Sequence, residues 1–232
     1  MNRWEGSYCG PAPLPADIFA RWNFDPWALA VLVALTLWAG RTRPGAAAIV
    51  VLAFAFLSPL CALSSALFSA RVVHHVLLVT VAAPLLALSR PVRTAHGVGL
   101  PFLFATAALW LWHAPAAYDA ALGHMAVYWL MQVTLFGSAY FFWRAVFSQP
   151  AGSGVGWVFL AYLAMGMLGA VLTLAPEAIY ATHAVAPLLW GLTPLADQQL
   201  GGLVMWMPAG LPFAVWGGIL ARRAWRHMGD AL

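Results

Sequence analysis

The sequence predicts an all-α integral membrane protein, a bundle of seven transmembrane helices with its N-terminus outside and its C-terminus in the cytoplasm. Three observations carry this. Of 232 residues, 63% are hydrophobic and only 8% charged, against about 25% charged in an ordinary soluble domain, so too few polar side chains exist to cover a water-facing shell. Apolar runs of bilayer-spanning length recur along the chain, and arginines are divided unequally between the loops that separate them.

Crossing the hydrocarbon takes about 20 apolar residues at about 1.5 Å each. Residues 1–24 form a short polar tail without an apolar stretch long enough for a signal-peptide core. Seven runs follow, over Asp25–Gly40, Ala46–Ser69, Val72–Ser89, Val98–Ala116, His124–Phe147, Gly154–Ala175 and Pro194–Ala221. The first is the shortest. Turn chemistry separates them, as in Arg41-Thr-Arg-Pro-Gly45, Arg90-Pro-Val-Arg93 and Ser148-Gln-Pro-Ala-Gly-Ser-Gly154. Residues 25–221 thus read as one transmembrane domain, followed by a short basic tail over 222–232.

Loop arginines orient the bundle. On the N-terminal side lie Arg3, Arg21 and Arg71; on the opposite side lie Arg41, Arg43, Arg90, Arg93, Arg144, Arg222, Arg223 and Arg226. The richer side reads as cytoplasmic. The formal charge of +4 is then a feature of membrane orientation, and the arginines are too scattered for a nucleic-acid surface. All 11 basic residues are arginine, which excludes retinal-type and other Schiff-base chemistry, for which a lysine amine is needed. No nucleophile–base arrangement, phosphate loop or enzymatic carboxylate pair is visible, so an enzyme is not expected.

Histidines gather on the predicted outer face. His74 and His75 open the third run, His113 closes the fourth, His124 opens the fifth and His183 lies in the loop before the seventh, leaving His96 and His227 inside. Neighbours on a helix diverge by about 100°, so one of His74 and His75 is expected to face the bundle and the other headgroups or a neighbouring helix. His113 and His124 bracket a ten-residue segment that holds them at one membrane level. A ligand from the start of the third run would complete a metal site. Imidazole suits copper, zinc, iron or nickel, and a thioether adds a preference for Cu(I).

Met125, Met205 and Met207 are near this level, although methionine in a spanning helix is ordinarily packing material. Each histidine taken singly reads as an interfacial residue, and Trp110, Trp112, Trp143 and Trp225 read as aromatic belts. Cys9 and Cys61, in no C-x-x-C arrangement, support neither a disulfide framework nor a thiolate site; Cys61 reads as a packing residue. The last run opens with Thr193-Pro-Leu-Ala-Asp-Gln-Gln-Leu-Gly-Gly202, a capped helix start. Asp197 there either complements its own helix dipole or orients a ligating imidazole.

Four stretches carry a family resemblance: His75-Val-Leu-Leu-Val-Thr-Val-Ala-Ala-Pro-Leu-Leu-Ala-Leu88, Trp110-Leu-Trp-His-Ala-Pro-Ala-Ala-Tyr-Asp-Ala-Ala-Leu122, Leu172-Thr-Leu-Ala-Pro-Glu-Ala-Ile-Tyr180, and Leu195-Ala-Asp-Gln-Gln-Leu-Gly-Gly-Leu-Val-Met-Trp-Met-Pro208. In these the sequence resembles the multi-span CtaG-type cytochrome c oxidase assembly factors. The resemblance implies a chaperone-like role in maturing a haem–copper oxidase, with transient copper delivery to the binuclear centre of its main subunit. It implies oxidase subunits as partners within the bilayer, with a homo-oligomer possible, and maps the family's motif histidines onto His75, His113 and His124. His74 and His183 are further candidate ligands. Trp112, Pro115, Tyr118, Asp119, Asp197, Gln198, Gln199 and Met205 are motif or supporting positions. The chain departs from the pattern at Arg71, where similar proteins tend to show a histidine one turn before His75, and at Tyr128 and Gln132. The alternative is a metal-free scaffold that stabilises an oxidase intermediate, motivated by small-residue surfaces such as Gly166-Met-Leu-Gly169.

Overall fold

The computed structural model describes residues 8–90 and 97–229. Arg3, Glu5, Arg93 and His96 lie outside them. Among the described residues the regular structure is helical: α1 (Pro26–Ala39), α2 (Arg43–Leu57), α3 (Pro59–Ala66), α4 (Phe68–Ser89), α5 (Gly99–His113), α6 (Pro115–Gly123), α7 (Met125–Ser148), α8 (Ala151–Leu174), α9 (Pro194–Trp206) and α10 (Gly210–Gly229), joined in part by short 3-10 turns. Local sequence sets many of these starts. Prolines occupy the first turns of α1, α2, α3, α6 and α9, and Asp25, Thr42, Ser58 and Thr193 accept first-turn N–H bonds.

Four stretches are long and apolar enough to cross a membrane: α4, α7, α8, and α9 with α10, which together span 36 residues. Two bent pairs raise the number to six, α2 with α3 at 50° and α5 with α6 at 75°. Both bends fall where an extended residue, Ser58 or Ala114, precedes a proline. The seventh expected span corresponds to α1, whose 14 residues reach about 21 Å, short of the roughly 30 Å hydrocarbon core.

The hub is α4. It packs against α2, α3, α7, α9 and α10, with a stripe through Val73, Leu77, Val81 and Leu85 partly exposed, and both of its histidines are enclosed, at 0% and 2% exposure: His74 turns toward Phe56 of the neighbouring α2 and His75 toward His113 of α5. Its middle, Leu77–Ala82, is a π-helical turn. Pro84 has no N–H to give, and the Ala83 N–H reaches back to Leu78, so the carbonyls of Val79 and Thr80 lose their usual partners. Two indoles replace them. Trp143 Nε1 donates to Val79 O at 2.8 Å and Trp216 Nε1 to Thr80 O at 2.9 Å. Trp143 is therefore a core residue and not a belt residue. The same holds for Trp112, buried with its Nε1 donating to Thr134 Oγ1 at 2.8 Å, whereas Trp110 and Trp225 are exposed.

The glycines that suggested a partner surface are consumed within the chain. A Cβ on Gly169 would stand 2.7 Å from Gly202 O, and one on Gly202 would stand 2.6 Å from Gly169 O, so α8 and α9 touch backbone to backbone. Gly201 faces the other way, against the Phe68 ring of α4. The bundle has two chemically distinct ends. At one, Arg90 after α4 donates to Trp38 O of α1, and Arg223 and His227 of α10 line one cavity with Gln149 and Pro150. At the other stand the remaining described histidines.

Candidate functional site

The start of α4 is fixed from a distance. Asp197, in the first turn of α9, accepts from Phe68 N at 2.6 Å, Ser69 N at 3.1 Å and Ser69 Oγ at 2.5 Å. Its carboxylate thus caps another helix, an arrangement neither sequence reading anticipated. The glutamines that follow fasten the long loop before α9. Gln198 Oε1 accepts from Ile179 N at 2.8 Å, its Nε2 donates to the carbonyls of Glu177 and Leu172, and Gln199 Nε2 donates to Ala175 O. Asp119 on α6 holds the same loop, accepting from Ala181 N, Thr182 N and Thr182 Oγ1. Pro115 starts α6 after the bend, and Met205 is buried where α9 meets α8.

Within this frame α4 presents Arg71, His74 and His75, all enclosed. The ring of His75 lies 5.8 Å from that of His74 and 5.8 Å from that of His113, and His74 also meets Phe56 edge-on at 4.9 Å. His113 Nδ1 is 2.7 Å from Leu109 O. A carbonyl only accepts, so Nδ1 carries the proton and the neutral ring leaves an Nε2 lone pair free. Among the described residues, that Nε2 and both ring nitrogens of His74 and of His75 have no hydrogen-bond partner. Five enclosed imidazole nitrogens without partners are costly unless something occupies them.

His183 is spoken for. Its Nδ1 donates to Ala66 O at 3.1 Å, and its Nε2 receives the Tyr118 hydroxyl at 2.8 Å. Burial lowers its pKa to about 4, so the ring is neutral at pH 7 and can accept from Tyr118. Tyr180 stacks on Phe68 at 4.4 Å and donates to His113 O at 2.8 Å, its own proton held by burial, which raises the phenol pKa. Tyr118 and Tyr180 thus tie the loop to the ends of α4 and α5.

His124 stands apart from this group. It is the N-cap residue of α7 and is exposed, as are Met125 and Met207. Among the described residues, no group of three or more His, Cys, Asp or Glu side chains is arranged to hold a metal ion. What the site does contain is a buried guanidinium. Arg71 lies over the Tyr128 ring at 5.3 Å, and Gln132, one turn further along α7, is buried with neither amide atom partnered among the described residues. Sequence spacing already puts Arg71 on the His75 face of α4, four residues earlier, but its assignment to a loop obscured that.

The cysteines overturn their sequence reading, because Cys9 and Cys61 form a disulfide, with Cα atoms 5.2 Å apart. The bond ties the N-terminal strap to α3. Tyr8 beside it stacks on Tyr128 at 4.9 Å, packs edge-on to Trp129 at 4.8 Å and donates to Asp25 at 2.5 Å. The strap and the disulfide therefore cover the same end of the bundle as the histidines.

No curated protein and no solved structure matches the chain significantly. The family model for the cytochrome c oxidase caa3 assembly factor matches residues 27–101 and 98–227. That match runs from the first turn of α1 into the last turn of α10, including the Asp197 cap and the buried histidines, and the chain belongs to the caa3-type cytochrome c oxidase assembly factor family.

Proposed function

We propose that the protein assists maturation of a haem–copper oxidase by holding Cu(I) transiently between His75 and His113, with His74 beside them, and passing it by ligand exchange to the oxidase subunit that houses the binuclear centre. The observation that carries this reading is the set of five enclosed ring nitrogens on His74, His75 and His113 that lack partners. Imidazole is a good ligand for copper. Ring centroids 5.8 Å apart suit one shared ion, since two metal–nitrogen bonds of about 2 Å each and the two ring radii cover a similar length. A site with few protein ligands suits a cargo ion that must leave again.

In this reading the chain crosses a bacterial plasma membrane seven times, with α1 as the short first span and the N-terminus outside. Arginine asymmetry between the loops supports the orientation. The Cys9–Cys61 bond supports it as well, because disulfides persist on the oxidising side of that membrane. Copper would then be held on the outer side. The protein is not an enzyme in this account, as ligand exchange moves the ion without making or breaking a covalent bond in a substrate.

Anaerobic titration of the detergent-solubilised protein with Cu(I) tests the proposal. Wild type is expected to retain copper that a His74→Ala/His75→Ala/His113→Ala variant does not, while His124→Ala behaves as wild type. Equal retention by wild type and the triple variant would refute it. The competing reading, a metal-free scaffold for an oxidase intermediate, draws on the lack of any group of three ligands among the described residues. It predicts a copper-replete oxidase assembled alongside the triple variant.

A further inference from the structure

We propose that Cys9 and Cys61, when reduced, form a second Cu(I) site that loads the buried histidines, and that their disulfide is the closed form of that site. The inference rests on the copper reading above and names how the ion reaches it.

The surroundings of the two sulfurs are the first argument. A disulfide sulfur has no proton, so the groups around it must donate. Tyr128 Oη stands 3.6 Å from Cys9 Sγ and Asn23 Nδ2 3.7 Å from Cys61 Sγ. Donors on both sulfurs gain little from a neutral disulfide but stabilise a thiolate, and the Arg71 guanidinium over the Tyr128 ring adds positive charge nearby. Such an environment favours the anionic, metal-binding form of both cysteines.

Placement is the second argument. Asn23 links the site to the histidines on one side, since it also donates to Phe56 O, and the Phe56 ring meets His74 at 4.9 Å. On the other side Tyr128 touches both Cys9 and Arg71, which is one turn of α4 from His75. One layer of side chains, Phe56 and Tyr128, therefore separates the sulfurs from the imidazole cluster. Cys9 is half-buried and Cys61 fully buried, so the pair has a more open member toward the surface and an enclosed one toward the bundle. Two thiolates sharing one ion need sulfurs about 4.5 Å apart, taking a metal–sulfur bond of about 2.3 Å, which side-chain rotation provides between Cα atoms 5.2 Å apart.

The redox step balances with a dithiol reductant of the thioredoxin-like class. One donor thiolate attacks Cys9 Sγ, forming a mixed disulfide and releasing Cys61 as thiolate. The second donor thiol resolves the mixed disulfide and frees Cys9. Two electrons and two protons pass to the pair, and the donor becomes a disulfide. Cu(I) then displaces the two thiol protons to water. Soft thiolate is a preferred ligand for Cu(I).

The test uses the full chain in detergent, anaerobically, with Cu(I) supplied from a chromophoric Cu(I) chelator. Three states are compared: disulfide-bonded, reduced with the reductant removed, and reduced then alkylated. The reduced protein is expected to bind one equivalent more than the other two, with sulfur visible in copper K-edge X-ray absorption only in that state. Cys9→Ser/Cys61→Ser should lose the additional equivalent and fill the nitrogen-bound one more slowly than the reduced wild type. His74→Ala/His75→Ala/His113→Ala should keep the sulfur-bound copper. Equal stoichiometry in all three states, absence of sulfur ligation, or equal filling rates would each overturn the proposal. If the sulfur-bound ion is present but the histidine variant loses no nitrogen-bound copper, the histidine site fails and the cysteine site stands without its acceptor.

Discussion

Asp197 Oδ2 and the Phe68 amide lie 2.6 Å apart across 129 positions of sequence, and this contact sets where the central helix begins. The first turn of any helix exposes N–H groups without intrahelical partners. Leu67, the residue before α4, has no side chain that can cap them. A carboxylate from α9 does so instead. Asp197→Ala would leave two amides and the Ser69 hydroxyl unsatisfied in a buried site, at about 1–3 kcal/mol, and should lower the thermal midpoint in detergent. Asp197→Asn keeps one carbonyl acceptor and should fall between. An unchanged midpoint for Asp197→Ala would contradict this role.

Glycine contact between α8 and α9 gives a sharper contrast. A methyl on Gly202 meets Thr173 Oγ1 at 2.4 Å and Gly169 O at 2.6 Å, whereas a methyl on Gly218 meets nothing within 4 Å. Overpacking costs about 1–3 kcal/mol, so Gly202→Ala should destabilise the bundle and Gly218→Ala should not. Because α9 carries Asp197, the Gly202 variant should also weaken the hold on α4, read as faster exchange of the Phe68 and Ser69 amides.

Much of this architecture is legible in the sequence, and the parts that are not have physical causes. Apolar runs mark the helices, and Ser58-Pro59 and Ala114-Pro115 explain why two runs bend. The Asp-Gln-Gln-Leu-Gly-Gly motif marks a busy helix start, but which backbone amides it serves depends on contacts more than a hundred residues away. Periodicity places His74 and His75 on different faces and so suggests different environments. It cannot say that both of those faces are covered, His74 by Phe56 of α2 and His75 by His113 of α5. A π-helical turn that needs two indoles has its sequence cause in Pro84, yet the identity of Trp143 and Trp216 as the donors emerges only from packing. The Cys9–Cys61 pairing is illegible for a similar reason, because two cysteines 52 residues apart carry no spacing signal.

The disulfide should be felt in stability as well as in metal binding. Chain-entropy reasoning gives about 4 kcal/mol as the most a loop of this length contributes, an upper figure for a chain whose unfolded state stays confined by lipid. Cys9→Ser/Cys61→Ser should therefore lower the thermal midpoint, and a thiol reductant should lower wild type to the same value while leaving the variant unchanged. Tryptophan fluorescence should report release of the strap, since Tyr8 packs against Trp129.

Acid should loosen the loop before α9 through His183. Burial lowers its folded pKa to about 4, below the roughly 6.5 of an unfolded histidine, so between these values the unfolded chain binds the extra proton and stability rises with pH. Its contribution is complete above about pH 6.5 and is lost as pH falls toward 4, amounting to at most about 3 kcal/mol. The mechanism is specific, since protonating Nε2 removes the acceptor for the Tyr118 hydroxyl while Nδ1 still donates to Ala66 O. A series of thermal midpoints from pH 7 to pH 4 should show a decline in wild type that is shallower in His183→Gln, whose side chain does not titrate. Parallel declines in the two proteins would assign the acid sensitivity to other groups. Because Tyr118 also packs against Phe68 at 5.5 Å, the same acidification should disturb the first turn of α4 before the bundle as a whole melts.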